Sequence, residues 1–304
     1  MTEMTKRILI TTSSFGEFDR TPLELLEAAG YTFELNPYGR KLKKEEVLQL
    51  YPRACGVIAG TEQIDADAFA CATELKVISR VGVGVDNVDQ DVAAARGITV
   101  CNTPDGPTMA VAELTIGVIL DLLRHIAEQD RDIRRGVWKK RMGRLLGAQK
   151  IGIVGMGRIG KAVARLIEPF GSTIVFYDPY VTDSTLQQME FDELIQWADI
   201  VTVHMSGSEC LFGEKQIAAM QNDAILVNLS RGGIVDEQAL AVALERNEVG
   251  GAALDVFEEE PYSGPLAKHS GVLLTPHIGS YAKEARVKME VDSVRHLLET
   301  LKDI

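Results

Sequence analysis

One stretch constrains this chain more than any other: Lys150-Ile-Gly-Ile-Val-Gly-Met-Gly-Arg-Ile-Gly-Lys161. A β-branched run stops at Val154, and glycines come after it at Gly155, Gly157 and Gly160. The run predicts a strand, the glycines a tight turn, and the residues from Arg158 and Ile159 onward the start of a helix. Gly155 permits the sharp turn, Gly157 lets backbone come close to a pyrophosphate, and Gly160 lets the helix pack tightly on the strand. The free N–H groups at the helix start then face phosphate oxygens. A glycine-rich connection that binds nothing has the same spelling, so the residues beyond Gly160 decide between the two.

Those residues complete a βαβ unit. Ile159, Val163, Leu166 and Ile167 make an amphipathic helix that ends at Pro169-Phe-Gly171, and the strand Thr173-Ile-Val-Phe-Tyr177 comes at once. That strand runs into Asp178, about twenty residues beyond the glycines, where a carboxylate accepts hydrogen bonds from the ribose hydroxyls of a dinucleotide. A 2′-phosphate would meet a negative charge there, which favours NAD over NADP. The other reading of Asp178 is a turn residue before Pro179.

Length and composition bound the rest. The 304 residues, 46% hydrophobic and 25% charged, suffice for two globular domains. A formal charge of −12 argues against a nucleic-acid or anionic-membrane surface, since binding phosphates at scale needs clustered Lys and Arg. Cys55, Cys71, Cys101 and Cys210 form no C-x-x-C pair and no metal-ligand set, and lie mostly in apolar runs, so they read as reduced core thiols of a cytoplasmic protein. The charges at Glu3, Lys6 and Arg7 lead straight into a strand, and no signal peptide or membrane span is predicted.

In chain order, strands are predicted at 7–12, 31–35, 56–59, 76–79 and 98–101, and helices at 21–27, 43–50, 65–72 and 87–96, with Thr21 as the cap of the first. The alternation implies a parallel sheet covered by helices. After the turn-rich Asn102-Thr-Pro-Asp-Gly-Pro107, one unusually long helix is expected from Thr108 to about Arg135, with Val111, Leu114, Val118, Leu122 and Ile126 on one stripe. Residues 136–147 carry the basic run Lys139-Lys-Arg141, read either as a solvated loop or as an arm that brings positive charge to an anionic substrate. Six strands from Ile151 to Leu273 then make a doubly wound dinucleotide domain. A last helix, roughly 282–301, is expected to return to the first domain. The division is thus 1–101 plus 282–304, a discontinuous domain, and 102–281.

Three polar groups sit just past strand ends, where open α/β sheets place their ligands. Arg231 stands in Asn228-Leu-Ser-Arg-Gly232, Glu260 closes Leu254-Asp-Val-Phe-Glu-Glu-Glu260 before Pro261, and His277 stands in Thr275-Pro-His-Ile-Gly-Ser280. Singly they read as a surface ion pair, an acidic loop and a satisfied core imidazole. Together they form a base, an orienting carboxylate and a carboxylate-binding guanidinium.

With Arg80-Val-Gly-Val-Gly-Val-Asp-Asn-Val-Asp89, Asn102-Thr-Pro104, Val111-Ala-Glu113 and Gly155-Met-Gly-Arg-Ile-Gly160, these motifs resemble the D-isomer-specific 2-hydroxyacid dehydrogenase family over nearly the whole chain, and most closely its D-3-phosphoglycerate dehydrogenase-like branch. The resemblance implies an α/β fold of two Rossmann-like, doubly wound parallel-sheet domains with a cleft between them, the first flavodoxin-like and holding the substrate, the second holding NAD. It implies Arg231, Glu260 and His277 as catalytic residues. It implies Gly155, Gly157, Arg158, Ile159, Gly160, Asp178, Leu229, Ser230, Asp255, Gly279 and Ser280 on the cofactor, with Asp255 at the nicotinamide amide. Arg80, Val83 and Gly84 would hold a small anionic 2-hydroxy or 2-oxo acid, with 3-phosphoglycerate as one candidate. A homodimer packed through the long helix and the segment after it is implied too.

The chain also departs from the phosphoglycerate pattern. Ala59 and Gly60 stand where an arginine after the third strand helps hold the phosphate, Pro107 replaces an asparagine, and the loop Met205-Ser-Gly-Ser-Glu209 lacks a proline. Two further functions fit the same residues: an NADH-responsive, corepressor-like binding protein, and a phosphite-type dehydrogenase.

Overall fold

The computed structural model describes residues 6–182, 185–207 and 209–302; Glu3 and Ser208 lie outside them. The chain divides into two compact units, one formed by the residues up to Pro107 with those from Ser280 onward, the other by Thr108–Gly279.

The first unit is a five-stranded sheet of β1 (Arg7–Ile10), β2 (Thr32–Leu35), β3 (Gly56–Ala59), β4 (Val77–Arg80) and β5 (Thr99–Cys101), all parallel, in the order β2-β1-β3-β4-β5. Successive side chains of a strand go to opposite faces, so both faces are buried. Leu9, Val57 and Ile78 face one core with α2 (Lys44–Leu50), α3 (Ala66–Cys71) and α4 (Gln90–Ala95). Ile8, Ile10, Ile58 and Val77 face a second core with α1 (Thr21–Ala28) and the C-terminal helix Lys283–Lys302, which supplies Met289, Val294, Leu297 and Leu301. Asp65 and Asp89 cap α3 and α4 by accepting backbone N–H bonds at 3.0–3.1 Å. Thr21 does not cap α1. It is the first helical residue, and its N–H is taken at 2.8 Å by Asp19, a carboxylate that suits a helix start.

The second unit opens with α5 (Thr108–Arg124) and α6 (Ile126–Arg134), where one long helix was expected. The break is His125, which adopts a left-handed φ of +52°. Asp121 then accepts the N–H of Ala127 at 2.7 Å, and the Gln129 amide closes on the carbonyls of Arg124 and His125. Local side-chain bonds thus take over groups that a continuous helix would pair internally. The strands come next as β6 (Lys150–Val154), β7 (Thr173–Tyr177), β8 (Gln187–Gln188), β9 (Ile200–Val203), β10 (Ile225–Asn228), β11 (Gly251–Leu254) and β12 (Val272–Leu274), with α7 (Arg158–Ile167), α8 (Phe191–Trp197), α9 (Glu214–Ala218) and α10 (Glu237–Glu245) between them. The sheet is parallel with order β12-β11-β10-β9-β6-β7-β8, seven strands where six were expected. The extra edge strand β8 is two glutamines long and has no hydrophobic period to announce it. The order reverses between β6 and β9, so the carboxyl ends of these two strands mark the switch point where such sheets take their ligands.

Candidate active site

At the switch point β6 ends in the glycine turn. Gly155 has φ +98°, and a Cβ on it would lie 2.7 Å from the backbone of His204. A Cβ on Gly160 would come within 2.0 Å of the Gly155 carbonyl, which is why α7 lies so close to β6. Nothing approaches within 4 Å of where a Cβ on Gly157 would be, so the backbone there is open to a ligand, with the α7 N–H groups of exposed Arg158 and half-buried Ile159 behind it. These features fit a pyrophosphate.

Asp178, at the end of β7, is buried, and its carboxylate accepts backbone N–H bonds from Met156 (2.7 Å), Tyr180 (2.8 Å) and Val181 (3.0 Å). It therefore ties the glycine turn to the 178–181 turn. On the far side of the switch point, burial pushes His204 down to about 3, which leaves it neutral with Nε2 2.9 Å from the hydroxyl of Thr202.

Past β10, Asn228 shapes the next loop. Its Oδ1 accepts from the N–H and hydroxyl of Ser230 (3.1 and 2.7 Å), and its amide donates to the Arg231 carbonyl (2.9 Å). Leu229 and Ser230 are buried by this turn, and Arg231 anchors Nη1 on the Ser230 carbonyl at 2.8 Å. Past β11, Asp255 is 1% exposed and accepts from the Thr275 hydroxyl (2.5 Å), the Ile278 N–H (2.8 Å) and the Gly279 N–H (2.7 Å). It so fixes the turn that carries His277, whose φ is +54°. A side chain at 279 would crowd Asp255 Oδ2 at 3.1 Å.

The turn brings His277 Nδ1 to 3.0 and 3.1 Å from the two oxygens of Glu260, and Glu260 also accepts the Phe257 N–H at 3.2 Å. Both side chains are well exposed, 46% and 39%, so His277 is not a packed core imidazole. With Nδ1–H given to the carboxylate, Nε2 is the nitrogen left to take a proton. The structure thus joins Glu260 to His277 and sets Arg231 at the end of a neighbouring strand.

Arg80, Val83, Gly84 and Ser280 belong to the first unit. Gly82 there has φ +141°, beneath which Arg80 folds to donate to the Val81 carbonyl, while the Asn102 amide donates to the Val83 carbonyl at 2.6 Å. The basic arm is partly spent. Arg141 pairs with Glu128 at 2.8 Å and with Asp132, so only Lys139 and Lys140 of the run remain as exposed cations. Cys210 is exposed rather than a core thiol, because it lies on the loop after β9, although all four cysteines are free. The loop-shaping role of Asn228 and the turn-fixing role of Asp255 are not predicted from the sequence; the place of Asn228 three residues before Arg231 is the only signal it offers.

A protein-family model described as D-isomer specific 2-hydroxyacid dehydrogenase, NAD binding domain, matches residues 116–279. The D-3-phosphoglycerate dehydrogenase of Methanocaldococcus jannaschii is 39% identical over 258 residues, 81% of this chain and 49% of that protein. The glyoxylate reductase of Thermofilum pendens is 40% identical over 259 residues, 80% of this chain and 76% of its own. Among solved structures, the TT0316 protein from Thermus thermophilus superposes with a TM-score of 0.92 at 35% identity, covering 98% of this chain and 97% of that one. The chain belongs to the D-isomer specific 2-hydroxyacid dehydrogenase family, and the cofactor of its second unit is NAD. It spans about half the length of the phosphoglycerate dehydrogenases it matches.

Proposed function

We propose that this chain is an NAD-dependent dehydrogenase that interconverts a D-2-hydroxy acid and its 2-oxo acid. The observation that carries the reading is the Glu260–His277 pair, held at 3.0 Å past the ends of the NAD-domain strands. In the oxidising direction His277 Nε2 takes the hydroxyl proton. Glu260 on Nδ1 fixes the tautomer and stabilises the imidazolium that forms. Arg231 forks onto the substrate carboxylate and draws charge from the developing carbonyl. NAD supplies the hydride acceptor when bound. Asp178 keeps a negative charge where a 2′-phosphate would lie, which supports NAD over NADP. Oxidation of NADH by the purified protein with at least one of glyoxylate, hydroxypyruvate, 3-phosphohydroxypyruvate and 2-oxoglutarate, and poorer turnover of NADPH, is the expected result. Turnover of phosphite and of none of these acids would move the activity to a different class of donor.

We also propose that the chain forms a homodimer through α6 and the arm after it. Ile126, Ile133, Trp138, Met142 and Leu145 are 55–94% exposed within twenty residues, an apolar surface that a monomer would leave in water. Light scattering is expected to give twice the 33.2 kDa chain mass, and Trp138→Asp to shift it toward the monomer. A native monomer would refute the arrangement. No helix among the described residues is long and apolar enough to cross a membrane.

A further inference from the structure

The sheet of the first unit has an open edge with a cavity beside it. β5 is the last strand in the order β2-β1-β3-β4-β5, so β4 pairs with one side of it and no strand pairs with the other. Thr99 and Thr103 give their N–H groups to the β4 side, onto the carbonyls of Lys76 and Gly82. Alternation along the strand therefore turns the N–H and C=O of Val100, and the N–H of Asn102, outward. None of these meets a protein partner among the described residues. Such a row is a template for another strand, and Thr99-Val-Cys101 holds no lysine or proline to blunt it.

A cavity of about 740 Å³ lies along this edge, walled across from β5 by His296, Glu299 and Thr300 of the C-terminal helix. These three share a helix face by their spacing. The Cys101 side chain turns to the same side, where it packs against the core of that helix. Burial pushes the Cys101 thiol up, which keeps it uncharged. His296 Nδ1 is buried without a partner, so an occupant can pair with that imidazole.

Glu299 is exposed, forms no ion pair among the described residues, and is the only acidic group lining the cavity, with no lysine or arginine beside it. A phosphate or carboxylate would thus meet a like charge and no cation. The occupant that fits has main-chain groups for the strand edge and a cation for Glu299. A second copy of this chain has a β5 edge to offer, but its own Glu299 comes with it and sets two carboxylates about one axis.

We propose that the open edge of β5 is a docking site for an extended, basic segment of a partner protein, whose main chain pairs with Val100 and Asn102 as an added strand and whose lysine or arginine meets Glu299.

The probe is a short fluorescent peptide of alternating valine and lysine, read by anisotropy against the same peptide with glutamate for lysine. The lysine peptide is expected to bind at least about tenfold more tightly. Two further peptides of unchanged charge carry methyl groups on alternate backbone nitrogens, one on the valines and one on the lysines. Only one set of nitrogens faces β5, so one methylated peptide should bind about tenfold more weakly and the other as the parent does. Val100→Pro removes an outward N–H and leaves the β4 ladder intact, and should cost about tenfold. Glu299→Gln, on an exposed helix face, should abolish the preference for lysine over glutamate; with the methylated pair it decides the matter even if Val100→Pro fails to fold. Equal binding of the two methylated peptides would show general attraction to an acidic surface and overturn the proposal. So would absence of binding, or a Glu299→Gln protein that keeps the preference. A Val100→Pro protein of lower mass than wild type by light scattering would put a second copy at the edge instead.

Discussion

At the scale of single residues, two aspartates do similar work in the NAD-binding unit. Asp178 gathers one backbone N–H of the glycine turn and two of its own 178–181 turn, and Asp255 gathers two at the turn carrying His277, together with the Thr275 hydroxyl. A carboxylate so bonded is rigid, and rigidity is what His277, proposed as the base and held in left-handed backbone, needs if it is to meet a substrate in one geometry. His204 makes the opposite use of burial. Its ring stays neutral in the fold down to about pH 3, whereas in the unfolded chain it takes a proton near 6.5. Because the folded value is the lower one, the unfolded chain binds the extra proton as pH falls, and stability is lost through the window from about 6.5 toward 3. Between pH 7 and pH 5 the wild-type protein is expected to lose about 2 kcal/mol more unfolding free energy in urea than His204→Gln. Equal losses would show that His204 charges freely in the fold. Arg231, Glu260 and His277 are legible in sequence as polar residues after apolar runs. The side-chain bonds of Asp255 are not, since they reach 20 to 24 residues along the chain and leave no period behind.

Among the elements, buried parallel strands announce themselves. Ile8, Leu9 and Ile10 are apolar in succession because the sheet is covered on both faces, and runs of this kind mark β1, β3, β6, β9 and β10. The glycine spacing is legible for the same physical reason it exists, since Gly160 admits no side chain against the Gly155 carbonyl. Where the sequence misleads, a local polar contact outcompetes a regular pattern. The stripe from Val111 to Leu122 continues to Ile126 in spelling only, because Asp121 and Gln129 pair the backbone around His125 and stop the helix, leaving Ile126 exposed. Thr21 loses its assigned cap position in the same way, because the helix begins at Thr21 itself and Asp19 accepts its N–H. Strand β8, two polar residues at an edge, has no burial pattern to write into sequence.

For the whole molecule, each unit has its own sheet with a core on either face, so each carries the means to stand as a folded body. The C-terminal helix packs on β3, β4 and β5 of the first unit, far from it in sequence. Hydride transfer assisted by His277 is the central claim, and single-turnover oxidation of bound NADH tests it most directly. Wild-type protein and His277→Ala, both loaded with NADH, are mixed with the 2-oxo acid that turns over fastest. The expected outcome is NADH affinity unchanged within about twofold and a transfer rate lower by about 10²- to 10⁴-fold, the usual contribution of a placed acid–base group. Transfer at the wild-type rate in His277→Ala would contradict that role.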